Sequence, residues 1–230
     1  MAYRKDEDLE FLAKCSNEDL EPLVEILIKD KDGKTRYTEE LTKSKKYMRY
    51  SPDHQKYWDD IAAEIQTFGA NTIATIFRFG KGVTYKEILC DVCQDLKVNF
   101  NEKSSTSAIE KNLLDKVYTQ AIEELSNEEL KKLADAVDIP TTNLSHQATV
   151  AAVQYALMQM PYFVLQQMLI NVIPMTIGRN LLLSRLIGVA AGPIGWALTG
   201  AWTAVDLAGA AKRVTVPAVI QVAVLRKKYR

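Results

Sequence analysis

Ser16-Asn17-Glu18-Asp19-Leu20 opens a stretch in which apolar residues recur at Leu20, Leu23, Val24 and Leu27. Spacings of three and four place them on one face of a helix. A serine at the N-cap accepts from a free backbone N–H of the first turn, and the acid three residues on sits at the positive helix end. The same grammar returns at Ser126-Asn127-Glu128-Glu129-Leu130, followed by Leu133, Ala134 and Val137. These are similar local starts and not a repeat, which needs several sustained copies. Thr84-x-x-Glu87 heads Ile88, Leu89, Val92 and Leu96, and Ser107-x-x-Glu110 heads Leu113, Leu114 and Val117. Ser51-Pro52 reads as N-cap and first helical residue, with Trp58, Ile61, Ala62 and Ile65 in one stripe that Gly69 and Gly80-Lys81-Gly82 punctuate. Together these signals predict an all-α fold.

Between the first two helices, residues 29–50 are highly charged and read as an exposed, mobile connection with a turn at Lys31-Asp32-Gly33-Lys34. Hydrophobic residues make up 47% and charged residues 25%, so the chain has the means to build a core. A zero net charge hides an asymmetry. Residues 1–138 carry 21 Lys and Arg against 28 Asp and Glu, a net of −7, while residues 139–230 carry eight against one, a net of +7. The two parts attract each other at short range.

At Pro140 the composition changes. Residues 139–211 contain three charged side chains, Arg179, Arg185 and Asp206. Buried charges are rarely left unpaired, so these three are candidates for a structural polar cluster. Pro161, Pro174 and Pro193 break or kink the helices, which leaves pieces over 146–160, 162–173, 176–190, 194–210 and 217–228. The last is rich in Val, which favours a strand, but Pro217 suits a helix start. Small residues recur four apart at Gly188/Gly192, Ala191/Gly195, Ala197/Ala201 and Ala204/Ala208. That spacing lets helix backbones approach closely. Gly188, Gly192, Gly195, Trp196, Gly200 and Trp202 therefore form a candidate face for helix packing or for a membrane. Residues 186–205 are uncharged and long enough in principle to span a bilayer. Their Ala, Gly and Thr content, with Pro193 inside, favours tight packing over lipid.

The expected architecture is a multi-helix bundle with an acidic amphipathic N-terminal half and an apolar, small-residue-rich C-terminal half. A short helical domain occupies 1–48. A second helical domain covers 49–230, acidic over 49–138 and apolar over 139–230.

No catalytic constellation emerges. Asp30-Lys31-Asp32-Gly33 fails as a calcium loop, because position six from Asp30 is Thr35 where a Gly is needed. Cys90-x-x-Cys93 lies inside the helix begun at Thr84 and not at its N-terminus, where the dipole would activate a thiol. A zinc site needs four ligands, and no second pair exists. His54, in the first turn of its helix, reads as a surface or helix-end residue. It has no histidine near it in sequence, His146 being the other one. No glycine-rich phosphate loop is present. The basic run Arg226-Lys227-Lys228-Tyr229-Arg230 is too short for nucleic-acid binding. No cofactor, metal, nucleic acid or small-molecule substrate is therefore expected. Three cysteines argue against a disulfide framework, and the charged N-terminus carries no signal region. A cytoplasmic protein is expected, or one peripheral at the inner face of the membrane.

Two stretches resemble known families. Tyr3-Arg4-x-Asp6-x-Asp8-Leu9-x-Phe11-Leu12, continuing to Ser16-Asn17-Glu18-Asp19-Leu20 and Asp32-Gly33, resembles a short N-terminal domain of unknown function. Ala191-Gly192-Pro193-Ile194-Gly195-Trp196, with Asp206-Leu207-Ala208-Gly209 and Arg213-Val214-Thr215-Val216-Pro217-Ala218-Val219, resembles the C-terminal signature of YaaW-like bacterial proteins. That family is grouped by classification with ubiquinol–cytochrome c chaperones. The resemblance supplies no catalytic residues and implies an assembly role. The leading expectation is a non-enzymatic factor that binds a protein partner. The alternative is a conditional membrane protein that inserts residues 139–230.

Overall fold

The computed structural model describes residues 3–29, 34–72, 83–123, 125–159 and 212–229. Among them every regular element is helical, and the one strand-like feature is an isolated antiparallel bridge between Lys29 and Thr35. The all-α expectation holds.

Leu9 and Leu12 are fully buried on a 3-10 turn, Glu10–Lys14, that leads into α1, Asn17–Ile28. Ser16 caps α1, its hydroxyl accepting from the Asp19 N–H at 3.2 Å. Leu20, Leu23 and Leu27 are buried to zero exposure. Burying such a side chain contributes roughly 1.5–3 kcal/mol.

The following segment departs from expectation. Glu39 and Leu41 are buried, and the chain forms a 3-10 turn, Leu41–Lys43, and then α2, Lys45–Tyr50. Ser44 caps α2 through the Tyr47 N–H. High charge hid this order, because the anchoring groups are a single leucine and a glutamate that folds back on Thr42. Of the expected turn at Lys31-Asp32-Gly33-Lys34, residues 31–33 lie outside the described residues.

Ser51 does not open the next helix. Its N–H bonds back to Tyr47, so it closes α2, and Pro52 follows through a cis peptide. A 3-10 turn, His54–Tyr57, then feeds α3, Trp58–Thr72. Ile61, Ala62 and Ile65 form the buried stripe. Gly69 lies within α3 and does not end it.

Thr84 opens α4, Tyr85–Asp95, with both halves of a capping box: Thr84 N–H to Glu87 at 2.9 Å, and Glu87 N–H to the Thr84 hydroxyl at 3.4 Å. α5, Thr106–Glu123, starts earlier than Ser107. Ser105 accepts from the Ala108 N–H, because Thr106 is turned inward to Asp8 and Glu110 is engaged elsewhere. α6 runs Asn127–Ala136 and α7 His146–Gln159, both where the sequence places them.

The last helix, α8, covers Lys212–Lys228 and begins five residues before Pro217. Pro217 is the sixth residue of the helix, past the free N–H groups of the first turn, so the bond to the Arg213 carbonyl is forfeited. Val214 to Arg226 are all buried, an unbroken run of thirteen residues. α8 packs against α1, α3 and α4. A helix enclosed on every side needs no polar stripe, which is why its sequence looks strand-like. The expected pieces between 162 and 210 lie outside the described residues.

The chain divides into two compact units, Met1–Leu113 with Leu207–Arg230, and Leu114–Asp206. Within the first, the described N-terminal elements surround α8. In the second, α6 packs on α7, burying Leu130, Leu133, Val150 and Val153.

Candidate functional site

A connected polar group of the first unit lies where α8 meets the N-terminal residues. Arg226 is buried with Nε 2.8 Å from Glu110 Oε2. Its guanidinium also donates to the Asp8 carbonyl and lies 4.5 Å from the centre of the Phe11 ring. Tyr85 donates its hydroxyl to Glu110 at 2.8 Å and reaches the Val219 carbonyl of α8 at 3.3 Å. The Tyr85 N–H donates to Asp6 at 2.6 Å, and Thr106 donates to Asp8 at 2.7 Å. Four segments distant in sequence thus converge on one hydrogen-bonded knot.

Burial raises the Glu110 carboxyl above its ordinary range, against the pull of Arg226 and Tyr85. The Tyr85 phenol is raised well above its usual value by the same burial. Burial would lower Arg226, but Glu110 outweighs it and the guanidinium is held charged. The side chains of Arg226 and Glu110 are only 9% and 4% exposed, so the pair positions α8 and faces no solvent-borne substrate.

Further ties hold the two ends of α8. Lys212 pairs with Asp95 at 2.5 Å. Lys228 reaches both oxygens of Asp19, at 2.6 and 2.8 Å, and Tyr229 donates to the same carboxylate and accepts from the Ser16 N–H. Burial would raise Asp19, yet Lys228 and Tyr229 hold it below its usual range. Cations of α8 therefore meet acids of the N-terminal half, as in Lys212 with Asp95, Arg226 with Glu110 and Lys228 with Asp19.

His54 is not at the surface: only 3% of it is exposed. The Ser51–Pro52 turn tucks it beneath α1, where Nε2 meets the Glu21 carboxylate and Nδ1 meets the Tyr57 hydroxyl. His146 lies elsewhere, bonded to Asn127 at 2.6 Å. Cys90 and Cys93 are free thiols on α4. Burial pushes Cys93 up to about 12, opposite to an activated thiol. Among the described residues no group of three or more His, Cys, Asp or Glu is placed to hold a metal. Among them, too, no helix is long and apolar enough to cross a membrane.

Arg179, Arg185 and Asp206, and the face of Gly188, Gly192, Gly195, Trp196, Gly200 and Trp202, lie outside the described residues. The buried Arg–acid pair that is described joins Arg226 to Glu110. No periodicity marks Arg226 in the sequence, because Ile220, Ala223 and Val224 stand before Lys227 at the same helical spacings.

Among the described residues the chain is all-α, and a buried polar knot joins α8 to the N-terminal segments. A family model described as ubiquinol-cytochrome C chaperone matches residues 53–220, and one described as a domain of unknown function (DUF3944) matches residues 3–37. The chain belongs to the UPF0174 family, whose YaaW members its C-terminal signature resembles. It is 43% identical to a UPF0174 protein of Helicobacter pylori strain J99, over 99% of this chain and 94% of the relative. A second UPF0174 protein of that strain is 40% identical over 84% of this chain and 98% of its own length. The UPF0174 protein YaaW of Escherichia coli K12 is 32% identical over 98% and 95% respectively. No solved structure matches the chain.

Proposed function

We propose that this chain is a non-enzymatic interaction factor of the assembly or chaperone-like kind. Its first unit serves as a closed anchor, and the residues between α7 and α8 meet the partner. One observation carries this: α8 is wholly consumed as the core helix of the first unit, so its apolar surface is already buried. What remains of the charge-poor region after α7 is 160–211, which precedes α8 in the sequence. A chain segment with three charges needs an apolar environment, and a partner protein with apolar surface provides one. The match to the ubiquinol-cytochrome C chaperone model supports the same reading.

The test is recovery of the intact protein from its own cells with membranes retained, followed by detergent extraction. A protein partner that stays bound in stoichiometric amount after lipid removal supports the proposal. Retention of lipid with no protein contradicts it and favours insertion of the uncharged run 186–205.

A further inference from the structure

α2 is held from beneath. Ser44 caps it, and Tyr47 packs edge-on against Tyr57 with ring centres 5.4 Å apart. Its outer face carries Lys45, Met48 and Arg49, at the i, i+3, i+4 spacing that places them side by side. Lys43 precedes them, also exposed. Met48 is 68% exposed, and Tyr37, on the approach to α2, is 97% exposed. Met48 and Tyr37 thus stand bare within a segment dense in cations.

The cations are not all neutralised. Lys46 pairs with Asp59, and Lys56 with Asp53. Lys45 and Arg49 meet no carboxylate among the described residues; Arg49 instead lies 5.2 Å from the centre of the Tyr50 ring. The face therefore presents positive charge around an apolar thioether, within an acidic N-terminal half.

We propose that this face of α2 docks on an anionic lipid surface. Long basic side chains keep their heads among phosphates while their stems and a neighbouring apolar group lie against the acyl boundary. Single-stranded nucleic acid fits less well, because it stacks successive bases on several free aromatic rings, and of the rings described in this segment only Tyr37 is bare. Tyr47 is covered by Tyr57, and Tyr50 lies between Arg49 and Lys56. The inference is independent of the assembly role: it concerns where the protein sits, and not what the remaining apolar residues bind.

The experiment is co-sedimentation of the full-length chain with phosphatidylglycerol-containing vesicles and with pure phosphatidylcholine vesicles. Binding is expected to the first only, and to be lost at high salt. Each surface cation contributes about fivefold in affinity, so Lys45→Gln with Arg49→Gln weakens binding about 25-fold. Met48→Ser weakens it further. Lys14→Gln with Lys103→Gln removes the same charge from exposed sites elsewhere and leaves binding nearly unchanged. An equal loss in that control, salt-resistant binding indifferent to the α2 changes, or binding of an RNA oligonucleotide or polyglutamate in place of vesicles overturns the proposal.

Discussion

Arg226 and Glu110 stand 116 residues apart in sequence and 2.8 Å apart in the fold. Their contact ties the last turn of α8 to α5, and through Asp8 and Phe11 to the N-terminal segment. α8, α5 and the N-terminal segment are thereby joined within the first unit.

Breaking this pair from one side strands a buried charge, which costs about 3–5 kcal/mol. Arg226→Met is therefore expected to lower unfolding free energy by that order in a denaturant titration. Adding Glu110→Gln restores part of it, since the amide oxygen still accepts from Tyr85. A double variant as unstable as the sum of the singles means the pair carries no coupling.

Because α8 is a core element, removing residues 212–230 is expected to abolish the near-ultraviolet circular dichroism of the first unit. The same residues added as a separate peptide restore it. A truncated chain that keeps the native signal contradicts the placement of α8.

The helix starts were legible because a cap is a local event: Ser16 and Thr84 each bond within three residues. Ser51 misled because serine closes helices as well as opening them, and the choice depended on Tyr47 behind it. Residues 29–50 looked mobile because charge outweighs two buried side chains in any composition count. α8 reads as a helix only from Pro217 onward, because enclosure on all sides erases the periodicity that would place its start at Lys212. The knot was invisible for a different reason. Nothing local joins Arg226 to Glu110, Tyr85 and Asp8; only the packed fold does.

Gly69 of α3 lies against Ile88 of α4. A Cβ built there falls 2.4 Å from Ile88 Cγ1 and Cδ1, and Ile88 is fully buried. Gly69→Ala is expected to cost about 1–3 kcal/mol by overpacking. Ile88→Ala in the same chain relieves most of that penalty. Unchanged melting of Gly69→Ala alone refutes the close contact.

Glu64 supplies a pH dependence. It has no exposed surface, accepts from the Glu40 N–H through Oε1 at 2.9 Å, and finds no partner for Oε2. Burial, and then the nearby Glu39 and Glu40, pushes its carboxyl up to about 7. The folded state therefore binds this proton more tightly than the unfolded state, and stability falls as pH rises from the ordinary carboxylate range to about 7. Glu64→Gln mimics the protonated form. Its melting temperature is expected to exceed wild type at pH 8 and to match it near pH 4.5. An equal offset at both values excludes titration of Glu64 as the cause.

The central claim is that the first unit anchors the chain while the apolar residues between α7 and α8 engage a protein. Photo-crosslinking tests it most directly, with a benzophenone amino acid replacing Trp196 or Trp202 in the full-length protein inside its own cells. The account predicts a discrete protein adduct from these positions and none from the buried Leu23. Adducts confined to lipid, or to this chain alone, contradict it.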